Sequence, residues 1–245
     1  MSNKHLSLLA KILVVGGNSI KIEIIDLINT KLKSKIVVDE KASRRGAIGG
    51  ILQDQLFICG GFGDSSRNIS IIRQPQYCEK MMYPRRYMSS VVINETILWI
   101  TGGMSKSGPL KSTEIVSLNQ PAISGPDLPF KVSHHSMVLV NPTTIYLIGG
   151  YQNNQLSKKT WIIDPTKDFQ IKVGPSLNIG RRNHASSKMK IKEKTFLVVA
   201  GGWNNRNGTL DSIELLDTTC PDQGWQMGMT YNSIFKMVYL KLYIM

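Results

Sequence analysis

Three arginine doublets, Arg44-Arg45, Arg85-Arg86 and Arg181-Arg182, recur along this 245-residue chain, and a histidine doublet, His134-His135, stands where a fourth would fall. A guanidinium presents a planar fork of N–H donors that matches carboxylate and phosphate oxygens, so these residues point to anion recognition. Each doublet opens a segment that passes through small residues into an apolar run, as in Arg85 to Ile93. Adjacent residues of an extended chain project to opposite sides, so one member of a doublet can serve the fold and the other a surface. Arg45, Arg86 and Arg182 align with one another, with His134 or His135 in the remaining place. These are the candidate partner-binding residues. The other arginine of a doublet is expected to bond carbonyls of a neighbouring unit or to pair with an Asp later in its repeat.

Other chemistries find less support. A metal site needs convergent His, Cys or carboxylate ligands, and the histidines are His5 near the terminus, the adjacent pair, and His184. No metal and no cofactor are expected. There is no G-x-S-x-G nucleophile elbow. An enzyme is therefore not expected, although Arg182, His184 and Tyr151 lining a central pocket would suit a sugar-acid epimerase; an oxidase-like enzyme would need a Tyr, His and Cys ligand set that the sequence does not show. The three cysteines, Cys59, Cys78 and Cys220, have no framework spacing. That favours the cytoplasm or the nucleus.

The elements that position the arginines are marked by five glycine pairs: Gly16-Gly17, Gly60-Gly61, Gly102-Gly103, Gly149-Gly150 and Gly201-Gly202. Each closes a short apolar run, and successive pairs are spaced by 44, 42, 47 and 52 residues. A period of this length signals a repeat architecture. No helical pattern follows any pair, so a phosphate-cradling loop is excluded and turn geometry is the reading of the glycines. Short polar turns (Gln53-Asp54-Gln55, Asn94-Glu95-Thr96, Asn141-Pro142-Thr143) connect the doublet segment to the apolar run as hairpins, with a longer charged turn expected around Lys190–Lys194. After each pair comes an alternating run that tends to end near Asp, such as Thr160 to Asp164 or Ser212 to Asp217. A weaker fourth run follows. Each repeat is thus expected to be a four-stranded antiparallel unit with strands a, b, c and d.

Apolar run, glycine pair, then a strand ending at Asp resembles the kelch repeat of β-propellers, over about residues 11–227. The resemblance implies an all-β fold, a kelch-type β-propeller of four-stranded antiparallel blades. Five repeats are recognisable at about 11–42, 43–84, 85–130, 131–179 and 180–228, in a single domain spanning 1–245, with an incomplete sixth repeat as an alternative. The strand d aromatic of such blades is clear only at Trp225. The first repeat lacks its strand a, and part of the strand-like tail 229–245 is expected to pair there and close the ring.

Strands a and b form a hairpin, so all d–a and b–c loops lie on one face. That face would carry the arginines together with Phe62, Met104, Tyr151 and Trp203, and Tyr151 and Trp203 are the expected apolar anchors. Net charge is +13, with lysines scattered over the repeats. Acidic partners fit that balance; scattered lysines argue against nucleic acid, and no apolar run is long enough to span a membrane. The resemblance implies a protein-binding module, as in substrate recognition for cullin-type ubiquitin ligases, and the arginines point to an acidic or phosphorylated segment of the partner. Binding to actin is the alternative.

Overall fold

The computed structural model describes residues 11–14, 21–26, 34–38, 45–53, 55–62, 68–71, 78–118, 120–153, 155–228 and 243–244. Among them the structure is all β, apart from a single 3-10 turn at Pro221–Gln223. Most strands form four-stranded antiparallel sheets that follow the sequence repeats, and the rest form short two- and three-stranded sheets after the glycine pairs. The second repeat contributes Ile48–Leu52, Gln55–Cys59, Asn68–Ile71 and Cys78–Lys80 in that spatial order. The third contributes Ser89–Ile93, Ile97–Thr101, Thr113–Ser117 and Ile123–Gly125. The fourth is Ser136–Asn141, Thr144–Ile148, Thr160–Asp164 and Gln170–Val173. The fifth is Ala185–Ile191, Lys194–Ala200, Ile213–Asp217 and Gln226–Met227.

In the first repeat Lys11–Val14, Lys21–Asp26 and Ser34–Val38 supply strands b, c and d. Strand a comes from the other end of the chain. Tyr243–Ile244 pairs antiparallel with Lys11–Val14, placing Ile244 opposite Ile12 and Tyr243 opposite Leu13. The rest of the tail, 229–242, and Gly16-Gly17 lie outside the described residues.

Burial explains why strand b reads as a continuous apolar run. Leu98, Trp99, Ile100 and Thr101 are all buried, because both faces of their sheet are covered. Leu98 and Ile100 face the second repeat, packing with Phe57, Met81 and Met88. Trp99 faces the fourth, with Phe130, Met137 and Leu147. A third layer joins Tyr146 and Ile148 to Leu197, Val199 and Trp225. Side chains that alternate along each strand therefore feed successive inter-sheet layers.

The glycine pairs sit where repeats meet. The Gly103 N–H donates to the Val132 carbonyl at 2.8 Å, and the Gly150 N–H to that of Arg181 at 2.9 Å. A Cβ on Gly102 would stand 2.4 Å from the Val132 carbonyl oxygen, and φ there is +54°. Close backbone approach and a left-handed conformation together demand glycine.

Two turn expectations change. The charged segment Lys190–Lys194 is not a long turn. The strands run to Ile191 and resume at Lys194, so Lys192 and Glu193 alone make the connection and the hairpin itself is longer than its counterparts. The aspartates ending strand c do not reach the arginines either. Asp164 and Asp217 accept hydrogen bonds from the N–H and Oγ1 of Thr166 and Thr219, closing the c–d turns as side-chain-capped turns.

Candidate anion-binding face

In the doublets Arg85-Arg86 and Arg181-Arg182 the two arginines have opposite fates; Arg44 lies outside the described residues. Arg85 and Arg181 are completely buried. Arg85 donates to the carbonyls of Gly102 (2.8 Å) and Ser112 (2.9 Å) and pairs with Glu114 at 2.7 Å. Arg181 repeats the pattern with Gly201 (2.8 Å), Ser212 (3.1 Å) and Glu214 (2.7 Å). Each carboxylate also accepts backbone N–H bonds from the loop before its arginine: Met82 and Tyr83 on Glu114, Asn178 and Ile179 on Glu214. The structural partner is thus a glutamate inside strand c rather than an Asp after it. Burial lowers the pKa of both arginines, against the pull of their glutamates. In the fourth repeat the same two places hold Val132 and Trp161, apolar at both ends.

The next residue of each doublet turns to the surface beside the residue that follows the glycine pair. Arg86 bridges Met104, Arg182 bridges Trp203, and the Phe62 N–H donates to the Arg45 carbonyl at 3.0 Å. In the fourth repeat this place belongs to Ser133, which pairs with Tyr151. Neither His134 nor His135 occupies the missing arginine position. His134 falls one residue later, in register with Gly46, Tyr87 and Asn183. His135 falls with Met88 and His184.

His135 and His184 are buried and link repeats: His135 Nε2 lies 2.8 Å from Thr101 Oγ1, and His184 Nε2 lies 2.7 Å from Ser136 Oγ.

The register just described forms a backbone chain across the repeats. The Tyr87 N–H donates to the Gly46 carbonyl (2.7 Å), the His134 N–H to that of Tyr87 (2.7 Å), and the Asn183 N–H to that of His134 (3.1 Å). All four residues have left-handed φ, +75° at Gly46, +54° at Tyr87, +58° at His134 and +55° at Asn183. This conformation disfavours side chains with a Cβ and persists where neighbours over-determine it, often at functional sites. The recurring hydrogen bonds are what over-determine it here. Sequence inspection does not reveal this line of residues, because glycine, tyrosine, histidine and asparagine share no chemistry.

Around it the side chains stack. The Tyr87 and His134 rings lie 3.9 Å apart at 21°. The Arg86 guanidinium sits 4.0 Å over the Phe62 ring, and that of Arg182 sits 4.4 Å over Trp203. Arg45 is 5.8 Å from the same Phe62 ring. Phe62 is exposed, as are Met82 and Tyr83 in the loop before Arg85. Tyr151 and Trp203 are only half-exposed, and Trp203 is covered by Arg182. Phe62, Met82 and Tyr83 are thus the more accessible apolar groups.

Charge converges on His134. Burial, then Arg182, Arg86 and Arg45 in that order, push its pKa down to about 3. It is neutral across the ordinary pH range. Three guanidinium groups from three repeats therefore bear on one uncharged imidazole. Arg86 and Arg182 have no carboxylate partner among the described residues, and the Nε atom of each is buried without a hydrogen-bond acceptor. No cluster of potential metal ligands occurs among the described residues. What the arrangement can do is hold an anion.

No protein-family model matches the chain, and no curated protein sequence does. The fold is that of a solved structure, YjhT, with a TM-score of 0.66 over 87% of this chain and 78% of that one. Identity is 14%, so the likeness is one of fold. The class defined by fold and site together is an all-β repeat protein with a cationic, aromatic-lined face.

Proposed function

We propose that the sheets are the blades of a single kelch-type β-propeller, closed by the pairing of residues 243–244 with residues 11–14, and that its d–a/b–c face is a protein-binding surface for an acidic or phosphorylated segment. The observation that carries this reading is that Arg86 and Arg182 have no carboxylate partner among the described residues and lie over Phe62 and Trp203, in segments that flank the stacked Tyr87–His134 pair. Arginines beside exposed aromatics form the composition of an interface hot spot. The four residues of left-handed φ hold these side chains at fixed positions, which lowers the ordering cost of binding. In this reading the chain is a cytoplasmic recognition module, of the kind that presents substrates to cullin-type ubiquitin ligases, and not an enzyme.

The test is capture of cytosolic proteins on wild-type chain and on an Arg86→Glu, Arg182→Glu variant whose folding is checked by circular dichroism. A protein held by the wild type, released by rising salt and lost from the folded variant supports the reading, because partly exposed charges are screened by salt. Identical capture by both chains sinks it. Sedimentation with actin filaments would move the proposal to the cytoskeletal class, and turnover of a free sugar acid would move it to the enzymes.

A further inference from the structure

Of all the asparagines in the chain, Asn207 alone is followed by glycine. It lies in the loop that follows the glycine pair of the fifth repeat. Trp203–Asn204 and Gly208–Thr209 form a hairpin of two residue pairs, Trp203 opposite Thr209 and Asn204 opposite Gly208. The base is clamped by the Leu210 N–H on the Gly202 carbonyl at 2.8 Å. The tip, Asn205 to Asn207, is exposed. Asn204 Oδ1 holds that tip by accepting the backbone N–H groups of Arg206 (3.0 Å) and Asn207 (2.6 Å). A two-stranded ribbon this short opens readily, and the exposed amide of Asn207 is free to turn. Gly208 has φ of +68°, and a Cβ built on it would meet nothing within 4 Å. With no side chain of its own and no neighbour where one would lie, its amide nitrogen is open to approach from the residue before it.

We propose that Asn207 is a deamidation site. The Gly208 backbone nitrogen attacks Cγ of Asn207 and gives up its proton. A C–N bond forms, the Cγ–Nδ2 bond breaks, and ammonia leaves with that proton. The succinimide ring then takes up one water at either of its carbonyls. Opening at one leaves aspartate; opening at the other leaves isoaspartate, in which the main chain runs through the side-chain carbon. Water is the co-reactant and nothing is oxidised or reduced. Either product replaces a neutral amide by a carboxylate, which lowers the net charge of +13 by one. The new charge appears in the hairpin whose Trp203 lies under the Arg182 guanidinium at 4.4 Å, so the reaction alters the candidate face itself. This inference needs no partner and stands apart from the proposed function.

The experiment holds the full, folded chain in mildly alkaline buffer at physiological temperature. Ammonia is assayed, digests are read by mass spectrometry, and isoaspartate is detected by enzymatic methylation. Residue 207 should become acidic ahead of Asn204 and Asn205 in the same loop. Isoaspartate should accompany aspartate, because direct hydrolysis of the amide would give aspartate alone. Gly208→Ala should slow the reaction about tenfold or more, since a Cβ hinders the attack and restricts the backbone that glycine leaves free. Asn207→Gln would need a six-membered ring, so its ammonia release should fall to that of the remaining asparagines. Both variants are checked for folding by circular dichroism. An Asn207 that stays intact, aspartate without isoaspartate, or an undiminished rate in folded Gly208→Ala would overturn the proposal. Ammonia release from Asn207→Gln equal to that of the wild type would overturn it as well.

Discussion

Replacing Arg181 by methionine tests how the arginine face is anchored. Arg181 and Glu214 are both fully buried, 2.7 Å apart. Methionine keeps much of the apolar stem and removes every donor. Glu214 is then left with the N–H of Asn178 at 2.6 Å, the Asn178 Nδ2 at 3.1 Å and the N–H of Ile179 at 3.1 Å, three neutral donors and no cation. The carbonyls of Gly201 and Ser212 also lose a donor. Removing one partner of a buried ion pair costs roughly 3–5 kcal/mol, because the remaining charge is stranded, and the orphaned carbonyls push towards the upper end. The fourth repeat shows the remedy: Val132 and Trp161 fill the same two places without charge, and Trp161 packs on Phe130. An Arg181→Met, Glu214→Leu double variant should therefore lose less than the sum of the single losses, with a coupling of about 2 kcal/mol or more. Urea unfolding of the four proteins, followed by tryptophan fluorescence, measures each term. A cost for Arg181→Met below about 1 kcal/mol, the level of an ordinary surface change, would refute the reasoning, and so would additive effects.

Other perturbations separate the remaining claims. Gly102→Ala combines φ of +54° with a Cβ 2.4 Å from a carbonyl oxygen, whereas Gly208→Ala combines φ of +68° with open space. The second should cost about 1–2 kcal/mol for the left-handed backbone alone and the first clearly more; equal losses in thermal unfolding would show that the contact between repeats is not tight. His134 has a folded pKa of about 3, against about 6.5 in the unfolded chain. Between these values the unfolded state binds the extra proton, so stability contributed by this residue is present above about pH 6.5 and is lost as pH falls towards about 3. A His134 ring resonance that titrates near neutral pH would contradict the convergence of Arg182, Arg86 and Arg45. Deleting residues 231–245 removes the partner of Lys11–Val14 and leaves its edge unpaired; melting temperature should drop by several degrees, and an unchanged value would mean that the pairing contributes nothing.

The repeats were legible because their signal is periodic and steric. Glycine at 102 or 149 is demanded by the backbone of the next repeat, and that demand recurs with every sheet. The split within the Arg85-Arg86 and Arg181-Arg182 doublets was legible too, since adjacent residues of an extended chain must diverge. What escaped was whatever depended on partners distant in sequence. Arg85 finds Glu114 rather than an Asp at the end of strand c, because strand c runs beside strand b and brings residue 114 opposite Ile100, next to the glycine pair. The glutamate looks like one more alternating polar residue until that register is known. His134 was displaced by one position for a related reason. The doublets align by residue type, but the repeats align by the left-handed residue, and in the fourth repeat serine takes the arginine's place.

That displacement gives the centre its electrostatic character. An arginine at position 133 would add a fourth cation, and a histidine there would alternate between charged and neutral states near physiological pH. Instead Ser133 sits beside His134, its Oγ 2.9 Å from Nδ1, and the imidazole is stacked on Tyr87, where burial first and then the charges of Arg182, Arg86 and Arg45 hold its pKa down to about 3. Like charges held together in this way repel, and nothing among the described residues neutralises Arg86 or Arg182. The arrangement stands because the buried pairs Arg85–Glu114 and Arg181–Glu214 pin the same loops from below, while Phe62 and Trp203 take up the guanidinium faces from the side. Arg85 and Arg181 thus supply the stability that lets Arg86 and Arg182 stand without a carboxylate partner among the described residues, and such a cation at a half-buried position favours a ligand of opposite charge.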